Sequence, residues 1–388
     1  MRYARTHMTR VLFYLLLAVA VVLSSVAPGA PVSAASPITL DSFAQVAFPT
    51  SITFTVKAQS DSAIVSLRLH YIVERENFAT VVSEVWAQFQ PGKSVDTQWL
   101  WDVRKGGPPP GGRIEYWWIA ENASGTRSET SHLKVSFEDS RYKWQSITNG
   151  VVNLLWYKGD RSFADSLMAA AQQGLQRLNT DTGAAPQRQV RIYIYGSAQD
   201  MQGALQFPQE WTGGVAFSEF DIILIGVSPD ILDWGKRAIV HELTHWITGQ
   251  LTFNNYGAGL PVWLEEGLAT YGEGPITSQY QDLLAAAIRD NKLISVRTLS
   301  SPFSADSQTA LLSYAESHSI VALLIQTYGR DKMAKLLDVF HQGSDYDDAL
   351  KQVYGFDQDG LDTRWRQSIG VKIAQAAVQE LMLAALSV

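Results

Sequence analysis

Within this chain of 388 residues, the group best suited to chemistry is a pair of histidines four residues apart, with a glutamate directly after the first. His241-Glu242-Leu243-Thr244-His245 lies in a stretch, about 236–249, whose apolar residues recur at helical spacing. In a helix, residues four apart project from one face a single turn apart, so both imidazoles can reach one zinc ion at ~2.0–2.1 Å. Glu242 lies about 100° round the helix from His241, near enough to reach a water on that metal without binding the metal itself. Ile239, Val240, Leu243, Trp246 and Ile247 fall on roughly the opposite side, where the buried stripe is expected. Zinc needs at least one more protein ligand, and in a chain without cysteine it must come from His, Asp or Glu. Pro261 suits a helix start, and the following Val262-Trp-Leu-Glu-Glu-Gly-Leu-Ala-Thr-Tyr271 offers two carboxylates, Glu265 and Glu266. The segment after His245 has room for the end of one helix, a Gly/Asn-rich loop at 254–259 and an antiparallel return. Spacing alone leaves both carboxylates open as the third ligand.

His-Glu-x-x-His followed at this distance by Trp263-Leu-Glu-Glu-Gly-Leu-Ala269 resembles the gluzincin metallopeptidases, the clan of thermolysin and aminopeptidase N, and is most similar to exported proteins of the peptidase MA type. The resemblance covers about 145–370. It implies one zinc per chain, held by His241, His245 and the carboxylate just before the glycine, Glu266, with Glu265 as its neighbour. It also implies hydrolysis of peptide or protein substrates, with Glu242 as general base. Tyr314-Ala-Glu-Ser-His-Ser319 leads into an apolar helix ending at Tyr328-Gly329, similar to the segment where aminopeptidase-N-like enzymes carry an oxyanion-stabilising tyrosine. That resemblance makes Tyr314 the candidate, with His318 one turn away as the alternative donor. The aminopeptidases of the clan carry a Gly-x-Met-Glu-Asn segment whose glutamate binds the free amine. Here the corresponding Gly213-Gly-Val-Ala-Phe217 keeps the glycine and lacks the acid, with Glu219 two residues out of register. This departure favours an endopeptidase over an aminopeptidase. Two readings compete: a non-catalytic exported protein that binds a partner through its N-terminal domain with the zinc domain as scaffold, and a zinc hydrolase acting on a non-peptide bond.

The elements that must position these residues form an α+β, multidomain chain. From about 236 onward nearly everything reads as helix: about 236–249, 261–271, 279–290, 308–328, 331–341, 345–353 and a terminal helix near 360–384. Upstream, Val151-Val-Asn-Leu-Leu-Trp156 and Val190-Arg-Ile-Tyr-Ile-Tyr195 read as strands flanking a helix near 160–178, and 213–217 with 221–226 as a further strand pair. These elements read as a small mixed sheet followed by a mostly helical part, which the resemblance above implies is a gluzincin-type zinc domain over 145–370. Ahead of it, 37–138 alternates apolar and polar residues at 52–56, 65–71, 81–89 and 114–120, and Gly106-Gly-Pro-Pro-Pro-Gly-Gly112 can only be a turn or surface loop. The expectation is a β-sandwich, and Gly112-Arg-Ile-Glu-Tyr-Trp-Trp-Ile-Ala120 resembles immunoglobulin or fibronectin-type-III domains. Trp86, Trp99, Trp101, Trp117 and Trp118 raise a carbohydrate-binding reading, against which core packing is favoured.

Composition narrows the partners. At 388 residues, 46% of them hydrophobic, the chain predicts roughly two to three globular domains at ~150 residues each. Its formal charge of −7 and the absence of a basic stripe exclude a nucleic-acid reading. Residues 1–34 read as a signal peptide: Arg2, Arg5 and Arg10 precede an apolar run from Val11 to Leu23, and Val32-Ser33-Ala34 suits a signal peptidase. The protein is therefore expected outside the cytoplasm, secreted or, if the segment stays uncleaved, anchored to a membrane. Residues 371–388 are expected to extend the terminal helix.

Overall fold

A computed structural model describes residues 37–206 and 213–370. The expected signal peptide at 1–34 and the C-terminal extension at 371–388 lie outside the described residues. The chain is mixed α+β, with a β-rich N-terminal part and a largely helical C-terminal part.

The N-terminal part departs from the expected sandwich. Its strands β1 (Thr39–Ala47), β2 (Ser51–Val73), β3 (Ser83–Trp86), β4 (Gly92–Asp102), β5 (Arg113–Asn122), β6 (Arg127–Glu129) and β7 (Leu133–Ser136) form one seven-stranded sheet, curled into a half-barrel. The cause lies in β2. It runs 23 residues, pairing with β1 and β4 through its first half and with β3 and β5 through its second. Register shifts between Gln59 and Ile64 and between Ile64 and Ser66 change which residues face inward, from Ile52, Phe54, Val56 and Ala58 to Leu67 and Leu69. Such bulges bend a strand without ending it, so both sets of partners stay in one sheet. Core packing accounts for most of the tryptophans. Trp118 is fully buried, Trp99 and Trp101 stack within the concave face, and Trp117 lies flat on His132 at 4.0 Å between ring centres. Trp86 alone of the five is largely exposed, with Arg68 over its ring.

The second part begins with β8 (Gln145–Asn149) and β9 (Val152–Trp156), then α1 (Arg161–Thr182), β10 (Val190–Tyr195), α2 (Ala198–Gln202), β11 (Gly214–Phe217) and β12 (Ile222–Gly226). The sheet order is β11-β12-β10-β9-β8, with the three central strands parallel and both edges antiparallel. Asp160 caps α1 by accepting from the Phe163 N–H at 2.9 Å, and Gly183 ends it in the left-handed conformation. The helices α3 (Leu232–Thr252), α4 (Val262–Gly272), α5 (Ser278–Arg289), α6 (Val296–Leu299), α7 (Ser307–Tyr328), α8 (Arg330–His341) and α9 (Tyr346–Tyr354) follow, with a last helix over 358–370. The apolar stripe of α3, from Ile239 to Ile247, joins one core with the sheet and the surrounding helices. Among the described residues, no helix is long and apolar enough to cross a membrane.

The two parts are tied by side chains. The Arg188 guanidinium donates to Asp221 at 2.9 Å and to Asn77 Oδ1 at 3.3 Å, and Asp221 in turn accepts from the Trp246 indole at 2.9 Å. The Glu76 N–H donates to the Glu219 carbonyl at 2.7 Å, and Phe78 meets Phe253 edge to face. The loop at 74–82 therefore lies against the second part.

Candidate metal centre

Helices α3 and α4 bring the ligand candidates together. His241 Nε2 and His245 Nε2 stand 3.1 Å apart on α3, and Glu266 Oε2 from α4 lies 3.4 Å from the first and 3.5 Å from the second. Ligands at ~2.0–2.1 Å from a tetrahedral zinc stand about 3.3–3.4 Å from one another. Glu266 Oε2 is buried and accepts no hydrogen bond from any protein group. Three lone pairs aimed at one point, one of them on an otherwise unsatisfied buried oxygen, fit a metal ion, and the group could bind one. Glu265 does not join it: its carboxylate faces the other nitrogen of His245, Nδ1, at 3.7 Å.

Close helix packing makes this convergence possible. A Cβ on Gly267 would come within 2.6 Å of both the Ser317 carbonyl oxygen and Val321 on α7, so a glycine beside Glu266 lets α4 and α7 approach. At the end of α4, Glu273 accepts from His241 Nδ1 at 2.9 Å, orienting the ring and leaving Nε2 free to ligate. The sequence reading missed Glu273, although it lies two turns beyond Glu266 on one helical face. Burial opposes charge on His241, yet contacts with Glu266 and Glu273 outweigh it and hold its imidazole well above the usual range. His245 is raised in the same way, against burial, by Glu266. Burial likewise opposes the charge on Glu266, but the two imidazoles hold its carboxyl far below the usual range. An arrangement of carboxylate and imidazoles that attracts protons also attracts a divalent cation.

Glu242 is buried beside the histidines, and burial pushes its carboxyl up despite both imidazoles. Edge strand β11 forms its floor: a Cβ on Gly214 would lie 2.6 Å from Glu242 Oε1. The glycine of the family pattern, Gly213, instead meets the Trp234 ring, so Gly214 is the residue that makes room for Glu242. Tyr314 on α7 places its ring centre 6.4 Å from that of His241, and burial together with the Glu266 carboxylate pushes its phenol up, so it keeps its proton. His318 is committed elsewhere. It is buried against Tyr271, and burial pushes its imidazole down. Tyr280 on α5 was not foreseen; burial and then the Glu273 carboxylate push its phenol up to about 12.

Among solved structures, OgpA from Akkermansia muciniphila is 14% identical over 29% of this chain and 31% of its own, with a TM-score of 0.21. Legionella pneumophila aminopeptidase A in complex with aspartic acid is 11% identical over 85% of this chain and 50% of its own, with a TM-score of 0.37. The chain thus spans about a third of OgpA and half of the aminopeptidase. No curated protein matches the sequence. Residues 170–371, the stretch that contains both ligand helices and α7, match the model of the peptidase MA superfamily, and with more than half of its length inside that match the chain belongs to this superfamily.

Proposed function

We propose that this protein is a zinc-dependent peptide hydrolase that cuts within chains in preference to trimming N-termini. The observation that carries the reading is the convergence of His241 Nε2, His245 Nε2 and Glu266 Oε2 at the mutual distances of a tetrahedral site. A zinc ion held by these three residues would supply Lewis acidity, enough to lower the pKa of a water towards ~7 and to polarise a carbonyl. Glu242, one residue from His241, takes the proton from the attacking water and passes it to the leaving amine nitrogen. The Tyr314 hydroxyl donates to the carbonyl oxygen as negative charge develops on it. Glu273 holds His241 in the tautomer that presents Nε2.

Endopeptidase action is supported by β11, the sheet edge beside Glu242, which carries Gly214, Val215, Ala216 and Phe217 and no acid to pair with a free α-amine. Burying that amine unpaired would cost binding energy. Residues 1–34 support export of the enzyme.

The test is the Glu242→Gln protein, analysed for metal and assayed on blocked and free peptides. One zinc per chain with turnover reduced by ~10² or more is the expected result, because the amide preserves shape and cannot accept the proton. Undiminished turnover would remove Glu242 from the mechanism. In the unaltered protein, strict dependence on a free N-terminus would overturn the endopeptidase reading.

A further inference from the structure

A cleft of about 480 Å³ lies between the 74–82 loop of the half-barrel and the corner joining α3 to α4. Its described lining starts one turn of α3 beyond His245 and includes none of His241, Glu242, His245 or Glu266 themselves. Thr248, Gly249 and Thr252, three, four and seven residues after His245 on one helical face, line one side, and Glu265, next to Glu266, lines its end. Asn77 and Phe78 form the opposite wall, so the N-terminal part completes the cleft.

Most of the polar side chains of this lining are already committed. Thr248 and Thr252 donate to backbone carbonyls one turn back, at 2.9 and 2.7 Å. The Asn254 amide donates to the Ala258 carbonyl at 2.6 Å, while its oxygen accepts from the Tyr256 and Ala258 N–H groups. Asn77 Oδ1 accepts from Arg188. Asn255 is neutral, and among the described residues no Lys, Arg or His lines the cleft. Among the described residues of the lining, Glu265 is the one charged group. Its side chain is 46% exposed, and the 3.7 Å separation from His245 Nδ1 exceeds hydrogen-bonding distance. Beyond it, Phe78 and Phe253 pack edge to face with ring centres 5.1 Å apart. Such a wall suits the aliphatic stem of a long cationic side chain, whose head would meet the carboxylate.

We propose that this cleft is a substrate subsite for a lysine or arginine side chain, with Glu265 as the selecting group. The inference deepens the peptidase reading and rests on it. Blocked alanine hexapeptides, in which one Lys, Arg, Gln or Glu is walked through each position, test it without a free amine to stand in for the side chain. At one position the unaltered zinc-loaded protein should cut the Lys or Arg peptide with a kcat/KM at least about 10-fold above the Gln peptide. Glu265→Gln should bring that ratio close to one, and Glu265→Lys should turn the preference toward Glu. A loss of fold or of metal would lower all rates together, whereas selection by charge moves the ratio. Titration of the Lys peptide into Glu242→Gln protein should show binding about 10-fold tighter than to the Glu242→Gln, Glu265→Gln double variant. If the unaltered protein cuts the peptides with no preference for a basic residue at any position, or if Glu265→Gln keeps the preference, the assignment of the cleft fails while the peptidase reading stands. If none is cut and none binds, both fail.

Discussion

Gly214→Ala is a test of the proposed base that leaves its chemistry intact. The added Cβ would lie 2.6 Å from Glu242 Oε1 and 2.9 Å from its Cδ and Cγ, whereas ordinary contact begins at 3.4 Å. Glu242 must therefore give by about half an ångström at the carboxyl carbon and more at the oxygen. Helix α3 cannot move to absorb this, because Ile239, Leu243, Trp246 and Ile247 anchor it in the core. The carboxylate is displaced instead. A misplacement of about 1 Å costs on the order of 10²-fold, so turnover on a blocked peptide should fall by about 10- to 10²-fold. The three atoms nearest the added Cβ all belong to Glu242, so elemental analysis should still find one metal per chain. Activity within twofold of the unaltered protein, with the metal in place, would refute the idea that the β11 floor holds Glu242 in its working position.

Three further outcomes follow from the geometry. Tyr314→Phe should lower kcat by about 10²–10³-fold with little change in KM, as expected of an oxyanion donor; near-normal turnover would leave Tyr314 a packing residue. Glu273→Ala should weaken metal affinity about 10- to 100-fold in a chelator competition, since the His241 ring loses the partner that fixes its tautomer. Glu316, wholly buried with its carboxyl accepting from the Ile294 N–H at 3.2 Å, is pushed up to about 8 by burial. Between the ordinary carboxylate value and about 8 the folded chain holds a proton that the unfolded chain has lost, so stability falls as pH rises through that window. Three to four pH units at about 1.4 kcal/mol each set a ceiling of about 5 kcal/mol. Denaturant titrations at pH 5 and 9 should show Glu316→Gln flattening this fall, and an unchanged pH dependence would exclude Glu316 as its source.

The helices that carry the candidate ligands were legible because their signals are local. His241 and His245 share a face by spacing, and the apolar stripe of α3 follows from the same period. The choice of Glu266 over Glu265 needed the family resemblance, since adjacent residues on one helix differ only in which neighbour they meet. Glu273 and Gly214 were invisible as site residues, because a hydrogen bond across 32 positions and a close approach across 28 leave no local pattern. The half-barrel was misread for the same reason. β2 reads locally as two ordinary strands, and only its partners reveal that it continues through the bulges. β1 and β4 carry small and polar residues such as Ser42, Ala44, Ser94 and Gln98 among their apolar ones, so their alternation is faint until the pairing with β2 is known.

The chain of contacts from Asn77 through Arg188 and Asp221 to Trp246 bears on how the molecule can be dissected. Trp246 directly follows the second histidine of α3, so a load applied to the half-barrel loop reaches that helix through three side chains. The N-terminal part is thus a brace as well as a wall. A shortened protein beginning at the second part would keep both helices of the candidate site, yet it would lose Asn77 and Glu76 as partners of Arg188 and with them part of what steadies the Asp221 carboxylate against the indole. The boundary that looks cleanest along the chain is a poor place to cut.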